Sequence, residues 1–203
     1  LYMSINLSKG QKIDLTKTNP GLEKIIVGLG WDTNRYDGGK DFDLDAMAFM
    51  LDSNGKCPRE TCFVSVFVPE AKQNDGTYSY ENGAAIHSGD NRTGNGEGDD
   101  ERISIDLSKV SQDIEKIDFA VNIYEGQSRN QNFGQVENAF IRIINAETNE
   151  EILRYDLGED FSIETAVIMG SIYKNNGEWK FNAIGSGFQD GLEALCRNYG
   201  LDV

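Results

Sequence analysis

Basic residues are scarce in this chain: 19 Lys and Arg stand against 34 Asp and Glu, giving a net charge of −15. Nucleic acid is gripped through basic patches that neutralise phosphates, so that class of partner is excluded. Unaided adhesion to an anionic membrane surface is disfavoured for the same reason. Cysteine is limited to Cys57, Cys62 and Cys196, an odd number without metal-ligand spacing. A disulfide framework is therefore not expected, and three reduced, structural thiols point to a cytoplasmic protein. His87 is the one histidine, so a tetrahedral zinc site lacks its ligands. No apolar run approaches the ~20 residues of a membrane span, and no charged-then-apolar leader opens the chain. Leu1-Tyr2 precede Met3-Ser4, which reads as a natural start behind a short added scar. With three prolines and no Ser/Pro-rich linker, one domain over 3–203 is expected.

Short β-rich runs punctuated by Gly, Asn and Asp fill the rest. The segments 24–31, 46–51, 61–68, 116–124 and 139–145 are apolar, β-rich and too short for typical helices. Ile103-Ser104-Ile105-Asp106-Leu107 alternates as a half-buried strand should. The segment 151–156 follows the turn Ala146-Glu147-Thr148-Asn149. Segments 165–174 and 178–184 flank Asn175-Asn176-Gly177, and Asn-Gly is the strongest short hairpin signal. The stretch 190–200 predicts a C-terminal helix with an Asp cap, spaced apolar residues and a terminal glycine. The polar, glycine-punctuated 69–83 reads as a mobile surface hairpin or loop. The fold class is all-β, a β-sandwich with minor helix.

Acid is concentrated at two places. Between Gly89 and Glu101 lie Asp90, Glu97, Asp99, Asp100 and Glu101, with Arg92 the only base and Gly94, Gly96 and Gly98 at alternate positions. Glycine opens backbone angles that let carbonyls and carboxylates turn toward one point. Two unit charges ~4 Å apart repel by ~4 kcal/mol at an effective dielectric of 20, a heavy load on a marginally stable domain. A hard cation among them removes that load. Asp41, Asp43 and Asp45 form the second group, alternating with Phe42 and Leu44, so in an extended chain the three carboxylates share one face. The opening resembles an EF-hand loop, but Ala46 stands where that loop needs glycine. Calcium accepts six to eight oxygens in flexible geometry. Asp90, Asn91, Thr93, Asp99, Asp100, Glu101 and backbone carbonyls suit it better than magnesium. A hydrolase built on paired carboxylates is the contrary reading, but no nucleophile arrangement supports it, so the chain is read as no enzyme.

Gly28-Leu29-Gly30-Trp31-Asp32, Asp41-Phe42-Asp43-Leu44-Asp45-Ala46 and the whole of 89–101 together resemble the TerD family of bacterial tellurium-resistance and stress proteins. The resemblance continues through Gln131-Asn132-Phe133-Gly134-Gln135-Val136, Arg154-Tyr155-Asp156-Leu157 and Asn176-Gly177-Glu178-Trp179-Lys180-Phe181. It implies a C2-like β-sandwich that holds calcium, two ions by expectation, in loops at one end, with no catalytic activity and a role in resistance to tellurite and other stresses. Carried across, Asp43, Asp45, Asp90, Asn91, Thr93, Asp99, Asp100 and Glu101 fall on the motif positions; Asp32 is a further candidate, and Gly96 and Gly98 offer carbonyls. The implied partners are proteins of the Ter system, the membrane protein TerC among them, at the inner face of the cytoplasmic membrane, with a monomer favoured. The chain departs from the family where many members carry a Phe-Tyr-Asn-Asn run; here it reads Ser65-Val66-Phe67-Val68-Pro69-Glu70. The alternative function is a calcium-dependent, lipid-docking C2-like module.

Overall fold

The computed structural model describes residues 4–32, 42–91 and 98–202. Among them thirteen strands form two sheets: β1 (Ile5–Leu7), β2 (Lys12–Asp14), β3 (Lys24–Asp32), β4 (Leu44–Leu51), β5 (Phe63–Val64), β6 (Tyr78–Tyr80), β7 (Ala85–His87), β8 (Glu101–Asp106), β9 (Lys116–Ile123), β10 (Glu137–Asn145), β11 (Glu151–Asp156), β12 (Ala166–Asn175) and β13 (Glu178–Phe188). One sheet runs β1-β11-β10-β3-β8-β7-β6 and the other β2-β13-β12-β9-β4-β5. Every pairing is antiparallel except β1 with β11. Two short helices, α1 (Gly126–Arg129) and α2 (Gly191–Asn198), complete the β-sandwich, and α2 lies against β9, β12 and β13. No helix among the described residues is long and apolar enough to cross a membrane.

The apolar pattern explains the layers. In β8, Ile103 and Ile105 are buried while Arg102 and Ser104 are not, the period-2 alternation of a strand with one face on the core. Ile25, Val27 and Leu29 of β3 and Ile141 and Ile143 of β10 join them in the core. β4 is buried along its full length, as its continuous apolar run predicts. Asn176 and Gly177 both take positive φ and close the two-residue hairpin between β12 and β13, with Asn175 paired to Glu178.

Two segments differ from the sequence expectation. The strand expected over 61–68 shrinks to Phe63–Val64, because side chains take over its backbone: Ser65 N–H donates to Tyr80 Oη at 3.2 Å and Phe67 N–H to Ser65 Oγ at 3.2 Å. The segment 69–83 is built rather than open, carrying a 3₁₀ turn at Pro69–Ala71 and the edge strand β6. At α2, Asp190 sits at the cap position but its side chain makes no cap hydrogen bond.

Candidate metal centre

β4 and the β7–β8 connection meet at one end of the sandwich. Asp43 lies one residue before β4, Asp45 is its second residue, and Asp90 follows β7. One carboxylate oxygen from each of these three residues lies within 4.8 Å of the others, with Asp45 buried, Asp43 half-buried and Asp90 exposed. Two oxygens on opposite sides of a calcium ion are ~4.6–5.2 Å apart, twice the usual Ca–O distance, so the trio fits around one such ion. An all-carboxylate donor set suits a hard cation and not a soft one. The strand geometry behind this was legible: Asp43 and Asp45 are two residues apart entering a strand, hence on one face. Asp41, the third member of that alternation, lies outside the described residues.

Directly behind the trio sits a buried polar layer. Glu101, fully buried, accepts from Ala46 N–H at 2.6 Å through Oε2 and from Asn91 N–H at 2.9 Å through Oε1. His87, also fully buried, receives a hydrogen bond from Gly89 N–H at Nδ1 (3.0 Å) and lies 2.9 Å from Ala46 O at Nε2. Since Nδ1 accepts, the proton belongs on Nε2, which donates to Ala46 O. The two side chains thus tie Ala46, the neighbour of Asp45, to Gly89 and Asn91, the neighbours of Asp90. Asn91 adds a bond from Nδ2 to Asp100 O at 3.2 Å. From the sequence, His87 beside the acidic loop reads as a possible base but a bland, exposed side chain; the fold buries it completely, and its place in the half-alternating Ala85-Ile86-His87 was the available signal.

The remaining candidates occupy other settings. Asp100 accepts from Trp31 N–H at 2.8 Å. Burial pushes its carboxyl above the usual range; the Trp31 hydrogen bond opposes this, while the charges of Asp32, Glu101 and Asp99 add to the rise. Asp99 is held by guanidinium groups: Arg142 donates from Nε at 2.6 Å and Nη2 at 3.0 Å, and Arg102 from Nε at 2.8 Å. Its carboxylate rests on Gly28, where an added Cβ would meet Asp99 Oδ1 at 2.3 Å. Asp32 accepts from Asn138 Nδ2 at 2.6 Å. Gly98 directs its carbonyl at the bare face of Gly30, 2.7 Å from where a Cβ would stand. Thr93 and Gly96 lie outside the described residues. Cys57, Cys62 and Cys196 are free and buried, and burial pushes their thiols up to about 12, about 11 and about 11, which makes thiolate chemistry unfavourable.

Comparison with known proteins agrees with this architecture. The TerD domain profile matches residues 3–199. General stress protein 16U of Bacillus subtilis is 58% identical over 201 residues, covering 99% of this chain and 100% of that protein. Tellurium resistance protein TerD of Serratia marcescens is 46% identical over the same shares of both chains. Among solved structures, a homologue of telluride resistance protein from Streptomyces coelicolor A3(2) superposes with a TM-score of 0.62 at 23% identity, covering 87% of this chain and 95% of that one. At that identity the likeness speaks for the fold alone.

Proposed function

This chain belongs to the TerD domain family, and from that premise we propose that it is a calcium-binding, non-catalytic module serving tellurite resistance and the stress response. The observation that carries the reading is the convergence of Asp43, Asp45 and Asp90 from two different sheets onto one point. The names of its relatives, a general stress protein and a tellurium resistance protein, supply the physiological half. Asp43, Asp45 and Asp90 would hold the ion directly. Glu101 and His87 hold the backbone on either side of the trio, so that the carboxylates need not be gathered at the moment of binding. Bound calcium would add positive charge among these carboxylates. Protein partners of the tellurium-resistance system at the inner face of the cytoplasmic membrane, TerC among them, complete the proposal.

The test is calorimetric titration of the chelator-stripped protein with calcium, and with magnesium as control. Saturable binding of calcium that magnesium does not reproduce, lost in Asp43→Asn/Asp45→Asn, is the expected outcome. A flat calcium trace overturns the reading.

A further inference from the structure

Beside the acidic trio lies an open cleft of about 740 Å³, and its walls belong to β9, α1 and the start of α2. Its rim carries Phe67 and Tyr124, each 39% exposed, two of the five large exposed hydrophobic residues among those described. Leu192 and Asn122 line it too, and Asn122 Oδ1 accepts from Leu192 N–H at 3.1 Å, which fixes the start of α2 against β9. Its charged residues among those described are both acidic, Glu125 and Asp190. The nearby Arg129 is engaged, stacked 5.1 Å from the Tyr124 ring centre and 3.3 Å from Glu125.

The cleft and the acidic trio share their backbone. Tyr124 N–H donates to Asp43 O at 2.7 Å, and Asp45 lies directly opposite Asn122 in the β4–β9 ladder. Residues directly opposite in an antiparallel pair project to the same face, so any shift of Asp43 or Asp45 on binding an ion reaches the cleft wall without an intermediary.

We propose that this cleft docks a short segment of a protein partner in which an apolar side chain is flanked by lysine or arginine. The apolar side chain meets Phe67 and Tyr124, and a base meets Asp190, with a second base sharing Glu125 with Arg129. Charge selects among the occupants: a second copy of a chain with net charge −15 is repelled, and so is an anionic lipid surface. The dependence of docking on calcium rests on the cation reading above; the cleft itself does not.

The experiment uses two fluorescein-labelled peptides, one alternating leucine with lysine and one alternating leucine with glutamate, titrated by fluorescence anisotropy with and without calcium. The lysine peptide is expected to bind about tenfold or more tighter than the glutamate peptide. Phe67→Ser, which changes no charge, should weaken it about tenfold, as loss of an aromatic anchor does. Asp190→Lys should weaken it as well, and removal of calcium should weaken it in the parent. Unchanged binding by Phe67→Ser, or equal binding of the glutamate peptide, overturns the proposal. So does sedimentation with phosphatidylserine vesicles that depends on Phe67 while neither peptide binds. Calorimetry on the same samples separates the two readings: calcium binding without peptide binding removes the docking site alone, and Phe67-dependent peptide binding without calcium binding removes the cation site alone.

Discussion

At the scale of single residues, two positions decide how the acidic end is held. Gly28 has no side chain because Asp99 fills the space: a Cβ there would lie 2.3 to 2.5 Å from the carboxylate carbon and oxygens. Gly28→Ala must push Asp99 off Arg142 and Arg102; because both guanidinium groups reach solvent, losing these charge-assisted hydrogen bonds costs about 1–3 kcal/mol. Urea denaturation is expected to show that loss, while Gly158→Ala, with nothing within 4 Å of its Cβ, leaves stability nearly unchanged. Glu101 is the second position. Both of its oxygens accept backbone N–H groups, from Ala46 and Asn91. Glutamine has one carbonyl oxygen, so Glu101→Gln turns an NH₂ toward an N–H donor; a loss of about 2–3 kcal/mol is expected in the same assay. Asp99, Asp100 and Glu101 are alike in the sequence, three acids in a row. Only the packing separates them into a guanidinium partner, an acceptor for Trp31 and a bolt between strands, because each role depends on residues far away in the chain.

At the scale of elements, local chemistry was legible and distant pairing was not. The Asn176-Gly177 hairpin and the alternation of β8 are written in a few consecutive residues. The end of β5 was hidden because Tyr80, fifteen positions on, supplies the hydroxyl that captures Ser65. The same region contains a three-residue ion cluster linking the turn before β5, the turn after β6 and the β8–β9 connection. Arg59 Nε donates to Glu81 Oε2 at 3.0 Å, and Arg59 Nη1 to Asp113 Oδ2 at 2.6 Å. Hydrogen bonds from Arg59 hold the Glu81 carboxyl below its ordinary range, against the opposing effect of its partial burial. A carboxyl depressed in the folded state adds stability above its unfolded value of about 4.3, and that stability is lost as pH falls through the folded value. Glu81→Gln is therefore expected to be less stable than the parent at pH 7, with the gap narrowing as pH drops below about 4. Denaturant unfolding at a series of pH values measures it; a gap that is constant with pH contradicts the ion pair.

For the molecule as a whole, charge sets two effects of calcium that have to be told apart. The ordered run of glycine and aspartate motifs made the family legible in the sequence, and the β-sandwich with it; the grouping of Asp90 with Asp43 and Asp45 required the fold, since it joins strands of different sheets. A net charge of −15 makes the folded state repel itself, so any salt stabilises it by screening. A site that binds an ion only in the folded state adds RT ln(1 + [L]/Kd), about 2.7 kcal/mol at a hundredfold excess over Kd. For a domain of this size that corresponds to a Tm rise of about 5–10 °C. Screening depends on ionic strength alone and is shared by sodium chloride, whereas site binding saturates and belongs to the carboxylate trio. Thermal melts in calcium chloride and in sodium chloride at equal ionic strength should therefore differ by that margin in the parent. In Asp43→Asn/Asp45→Asn the margin should vanish while the screening effect persists. Equal shifts with both salts in the parent would mean that the trio holds no calcium and that screening alone acts.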